Sequence, residues 1–142
     1  AKSGHYLAEL KAIAKEEISG GKALIEDTLI QQRFANIEIE LMALEFTELR
    51  VLSSFAEGKG PGPESSLLKI KGTEVQQAIQ QLRMDLAGYY SGVVTGELSN
   101  EQIGHAFGDR ARREFMYGRA ATIYGGSNEV QKNITAKAVL GL

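Results

Sequence analysis

Residues 58–65 read GKGPGPES, and both prolines of the chain, Pro61 and Pro63, lie within them. Such a density of glycine and proline marks a loop, because proline lacks the amide that a helix needs and glycine loses the most backbone entropy on ordering. A long stretch with apolar residues at steps of three and four runs on each side. Upstream stand Ile30, Phe34, Ile37, Leu41, Leu44, Val51 and Phe55. A second line of Ile39, Met42, Phe46 and Leu49 widens that face, as expected of a helix in a bundle core. Downstream stand Leu68, Val75, Ile79, Leu82, Leu86, Tyr89 and Val93, with Gly72 in the remaining heptad place. Gly72 costs roughly 1 kcal/mol against alanine inside a helix, and a close crossing with another backbone would explain it. Two helices of roughly 27 to 30 residues joined by a tight loop must lie antiparallel. The spacing therefore predicts an all-α fold: an antiparallel, up-and-down four-helix bundle with a short C-terminal helix.

The flanking segments fit that scheme. Tyr6, Leu7, Leu10, Ala14 and Ile18 predict a short first helix that ISGG ends, with Gly20 and Gly21 just past its last turn. KALIED then leads to Asp27, a good N-cap for the long helix. A polar loop is expected from Gly96 to Gly104, and a fourth helix from about His105 or Asp109 to Ile123. Gly125-Gly126-Ser127 interrupts, and a fifth helix starts at Ser127. No run alternates with period two for long enough to predict a strand, and there is no internal repeat. The 142 residues are read as a single domain, 1–142.

Composition excludes several function classes. A net charge of −2 gives no field to attract a polyanion, so no nucleic-acid partner is expected. The absence of cysteine removes disulfides, thiol catalysis and cysteine metal sites, and it suits a reducing, cytoplasmic setting. No apolar run approaches the ~20 residues that span a bilayer. The chain opens almost directly in a helical pattern, which is expected of a fragment of something longer.

Few side chains point to chemistry. Ser127 can cap the last helix, and the two glycines before it let a ligand approach a helix N-terminus, where free N–H groups attract anions. An ordinary capped turn is the simpler reading of those three residues alone. Helical counting puts Glu48 at the centre of the apolar face, where a carboxylate is either paired or a raised-pKa base. His5 with Glu9, and Glu101 with His105, are i,i+4 pairs, but the paired Glu-x-x-His of di-iron bundles is absent and no metal is expected. Arg110, Arg112, Arg113 and Arg119 do not share one helix face, and Asp109 and Glu114 dilute them.

One stretch is far more specific. Ile123-Tyr124-Gly125-Gly126-Ser127-Asn128-Glu129-Val130-Gln131-Lys132-Asn133-Ile134, followed by Val139-Leu140-Gly141-Leu142, resembles the C-terminal signature of the flavin-dependent acyl-CoA dehydrogenases. The long helical pair upstream is similar to that family's C-terminal α-domain, so the resemblance covers nearly the whole chain. It implies that Tyr124, Gly125, Gly126, Ser127 and Glu129 lie against FAD near the acyl-CoA cleft. It also implies α,β-dehydrogenation of an acyl-CoA thioester by the full-length protein. The expected partners are acyl-CoA, an electron-transfer flavoprotein or similar acceptor, and other subunits in a homo- or hetero-oligomer.

The chain departs from the family pattern at three places. Many members carry the glutamate that removes the α-proton directly after the signature tyrosine, where this chain has Gly125. Other members carry that base on the first helix of this domain, which here would lie ahead of Ala1, or leave the chemistry to a partner subunit; no catalytic residue is assigned, and the isolated chain is expected to be inactive. Glu17 and Gly20 stand at the Arg and Phe places of an Arg-x-x-Phe-Gly motif, and GELSNEQIGHAFG replaces a Gln-x-x-Gly-Gly flavin motif. These departures are similar to divergent bacterial members that work as mixed heteromers with fewer flavins than subunits. They raise a second expectation, a non-catalytic bundle that assembles with a partner and holds no flavin of its own.

Overall fold

The computed structural model describes residues 2–58, 60, 62–93, 104 and 106–141. Five α-helices carry the fold: α1 (Lys2–Glu16), α2 (Thr28–Ala56), α3 (Glu64–Ala87), α4 (Ala106–Gly118) and α5 (Asn128–Leu140). The expected polar loop and the Glu101–His105 pair fall almost wholly outside the described residues.

Helix α3 is the hub, packed against α1, α2, α4 and α5. Its ion pairs with α2 fix the relative direction. Arg33 near the start of α2 meets Asp85 near the end of α3, whereas Glu40 further along α2 meets Lys71 earlier in α3, at 3.4 Å. The pair is therefore antiparallel, as the proline loop requires. The core interleaves Leu7, Leu10 and Ala14 of α1 with Phe34, Ile37 and Leu41 of α2 and Val75, Ile79, Leu82 and Leu86 of α3. Burial of each large side chain contributes about 1.5–3 kcal/mol. Asp27 caps α2 as expected, accepting from the Leu29 and Ile30 amides at 2.8 and 3.2 Å.

Several local expectations are corrected. Helix α1 stops at Glu16, and ISGGKA forms a miniature hairpin in which β1 (Ile18–Ser19) pairs with β2 (Lys22–Ala23). Gly20 and Gly21 are its turn, with φ of 59° and 81°, the geometry that two-residue hairpins require. Helix α3 ends at Ala87 and a 3-10 segment, Gly88–Gly92, follows. Tyr89 thus leaves the apolar line and is fully exposed. Nothing lies within 4 Å of where a Gly72 Cβ would stand, so no close crossing explains this glycine. It lines a cavity of about 360 Å³ between α1, α3 and α4.

The second apolar line of α2 does not enter the core either. Ile39, Met42, Phe46 and Leu49 are 58–65% exposed. Helix α2 packs on α3 with one face only, and among the described residues no element covers the other. Burial also fades along α2: Leu44 and Val51 are half-buried and Phe55 is exposed, so Glu48 stands in solvent and not at a buried centre.

Candidate functional site

The signature stretch folds into the connection between α4 and α5. A 3-10 turn, Arg119–Thr122, continues from α4 and is pinned by Ala121, which has no exposed surface. The amides of Ile123 and Tyr124 both donate to the Ala120 carbonyl, at 2.9 and 3.0 Å. Tyr124 then projects with about half its surface exposed. Gly125 and Gly126 follow with φ of 68° and 92°, a region that side-chain-bearing residues avoid.

The two glycines differ in surroundings. A Cβ on Gly125 would meet nothing within 4 Å, whereas one on Gly126 would stand 2.5 Å from Gln131 Nε2. Gln131 folds back over the turn and donates from Nε2 to the Gly125 carbonyl at 3.4 Å. Ser127 caps α5 as expected, its hydroxyl accepting from the Val130 amide at 3.4 Å. Lys69 on α3 donates to Asn128 Oδ1 at 3.2 Å and ties the start of α5 to the bundle. Gln131 was not legible as part of the site, since its role depends on a side chain reversing direction over a left-handed turn.

Glu129 sits in the first turn of α5 and is exposed. Its own backbone N–H, and secondarily the Ser127 hydroxyl, hold its carboxyl below the ordinary glutamate value, with smaller help from Lys132 and Lys69. A folded-state value lower than the unfolded one stabilises the fold above the ordinary glutamate range, and the contribution is lost as pH falls through the folded value. Glu129→Gln is therefore expected to lower stability slightly at neutral pH and leave it unchanged in acid, where the carboxyl is protonated, so that the acid limb of a stability-versus-pH curve flattens. Urea midpoints taken from pH 7 to pH 3 check this, and an unchanged acid limb would count against the interaction. The same carboxylate bears on ligand choice. A phosphate approaching α5 meets a helix start already occupied by an anion, while the Gly125 side of the turn is open.

The remaining expectations fall elsewhere. Glu9 is engaged by Arg83 and Arg110, at 3.1 and 3.6 Å. Among the described residues no group of three His, Asp or Glu could hold a metal ion, and no helix is long and apolar enough to cross a membrane. The arginines of α4 are neutralised locally: Arg112 and Arg113 by Asp109, and Arg110 by Glu114. Glu17 and Gly20 lie at the hairpin, with the Glu17 carbonyl accepting from the Leu24 amide at 2.9 Å. One cluster was not foreseen. Arg83 on α3 is 2% exposed and binds both Glu9 on α1 and Glu114 on α4. Its position beside Ile79 and Leu86 on the buried stripe was the available signal.

A family model described as acyl-CoA dehydrogenase, C-terminal domain, matches residues 4–140. The acyl-CoA dehydrogenase IpdE1 of Mycobacterium tuberculosis is 30% identical over 144 residues, covering 96% of this chain and 32% of its own length. The crystal structure of the ChsE4-ChsE5 complex from Mycobacterium tuberculosis superposes with a TM-score of 0.78 at 26% identity, over 99% of this chain and 35% of the other. Butyryl-CoA dehydrogenase from Megasphaera elsdenii superposes over 97% of this chain and 33% of its own, with a TM-score of 0.72 at 22% identity, a likeness of fold. The chain thus spans about a third of the length of the relatives it matches. With the family's helical fold and its signature turn both in place, the chain belongs to the acyl-CoA dehydrogenase family and corresponds to its C-terminal domain.

Proposed function

We propose that this chain is the C-terminal helical domain, a single domain over residues 1–142, of a longer cytoplasmic dehydrogenase that oxidises an acyl-CoA thioester at its α,β carbons. In this reading Tyr124, Gly125, Gly126, Ser127 and Glu129 form part of the wall that holds FAD. When bound, the flavin supplies the hydride acceptor. The chain's own residues position it. Gly125 leaves the backbone open for a flat ring, Tyr124 offers an aromatic edge beside it, and Ser127 and Gln131 hold the turn in shape. The observation that carries the reading is the open left-handed Gly125 within the family's signature turn. The uncovered apolar line of α2 supports an oligomer interface, homo- or heteromeric, because a contiguous apolar face on this scale marks a contact surface. Electrons would leave to an electron-transfer flavoprotein or a similar acceptor.

A second reading has its own support. Gly125 replaces the usual base, and Glu17 and Gly20 replace an arginine and a phenylalanine that bear on flavin in the family pattern. A bundle that assembles with a partner subunit and holds no flavin of its own would show these departures. A likeness to a two-component complex, ChsE4-ChsE5, fits either reading. The visible absorbance of the purified longer protein, measured with its oligomeric mass, separates them. Bound flavin is the expected result. A folded but colourless protein overturns the flavin contacts in favour of the assembly subunit.

A further inference from the structure

The glycine turn is held at a distance, from the middle of α3. Gln77 faces the end of α4, and its Nε2 donates to the Gly118 carbonyl at 2.9 Å and the Arg119 carbonyl at 3.5 Å. Arg119 answers by donating from Nη2 to the Gln77 carbonyl at 3.4 Å. The last carbonyls of a helix have no partner within it, so a side chain on another helix closes α4 here. The neighbouring Gln80 presses its amide on the same spot. A Cβ on Gly118 would lie 1.9 Å from Gln80 Oε1, so any side chain there would have to displace the Gln80 amide. The chain leaves this knot at Arg119, enters the 3-10 turn pinned by Ala121, and reaches Tyr124 with no further element between.

We infer that Gln77 is a positioning residue for the Tyr124–Ser127 turn, acting through the Gly118 and Arg119 carbonyls to fix where that turn stands on α3. The consequence for flavin rests on the function proposed above; the positioning itself does not. Arg119 adds a second strut, stacking over the Phe115 ring with its guanidinium 4.3 Å from the centroid and donating from Nε to the Phe115 carbonyl at 3.2 Å. Between them, these contacts leave the end of α4 one arrangement.

Amide hydrogen exchange of the whole chain tests this. Gln77→Glu keeps the side chain's shape, but a carboxylate donates nothing and faces two carbonyl oxygens. Gln77→Lys keeps a donor. We expect Gln77→Glu to speed exchange at the Ile123 and Tyr124 amides by roughly tenfold while those of Ile79 and Leu82 hold, and Gln77→Lys to recover most of the protection. Unchanged exchange at Tyr124, or equal loss along α3 in both variants, would overturn the inference. In the longer protein, Gln77→Glu should weaken FAD binding by roughly tenfold. A wild-type protein without flavin would sink the flavin reading and leave the exchange result standing.

Discussion

Arg83→Met should lower the stability of the chain by about 2–3 kcal/mol at neutral pH, the largest loss we expect from one surface-independent polar residue. The guanidinium is the junction of three helices. Nη2 reaches Glu9 of α1 at 3.1 Å, Nη1 reaches Glu114 of α4, and the Tyr6 ring lies 5.6 Å away. Breaking a buried ion pair from one side costs about 3–5 kcal/mol, because the partner is left uncompensated. Two features reduce that figure here. Glu9 and Glu114 keep roughly a third of their side-chain surface in water, and both retain Arg110, at 3.6 and 2.8 Å. Among the described residues the buried Arg83 Nε meets no partner, so its removal also relieves a cost. Urea titration of wild type and variant at equal m-value reads the difference. A loss under about 1 kcal/mol would show that the cluster contributes little beyond what Arg110 already supplies. Arg83→Lys should recover only part of the loss, since an ammonium cannot serve two carboxylates in a planar fork.

The contrast between Arg83 and Glu48 shows how far the sequence could be read. Both are charged residues on apolar stripes of long helices. Periodicity assigns each to its stripe and says nothing of whether a neighbour runs alongside. Helix α3 is wrapped by four helices, so Arg83 is sealed and has to find partners on α1 and α4. Along the second half of α2 the described neighbour is the start of α3, which leaves Glu48 in water. Local chemistry was more legible. The Asp27 cap and the Ser127 cap depend on residues a few positions apart, and they form as expected. The hairpin at Ile18–Ala23 escaped because two-residue strands carry no period, and Gly20-Gly21 fits a helix end as well as a tight turn. The contiguous stretch from Tyr124 to Glu129 was readable as a glycine turn with a capped helix start. Gln77 and the Gly118–Gln80 contact were not, because each is a tertiary meeting that leaves no local pattern.

The second large effect is expected in activity. The purified 142-residue chain, supplied with FAD, an acyl-CoA and an artificial electron acceptor, should turn over no faster than free FAD. Removing an α-proton from a thioester needs a base matched to the task and held against the carbon. The position after Tyr124, where the family resemblance places that base, is Gly125, with no side chain. The neighbouring carboxylate, Glu129, is unsuited in two ways. Its lone pairs are directed to its own helix start, and the resulting lowered proton affinity makes it a weaker base than an ordinary glutamate. Gly125→Glu offers a direct check. Its φ of 68° makes any side chain cost about 1–2 kcal/mol, so the variant should be less stable by that amount and still inactive as an isolated chain. Turnover by the wild-type chain would mean that a group outside the signature turn acts as base, and the role proposed for this domain would have to be rebuilt around it. Turnover by the variant alone would mean that the turn already holds flavin and substrate in register and lacks only the carboxylate.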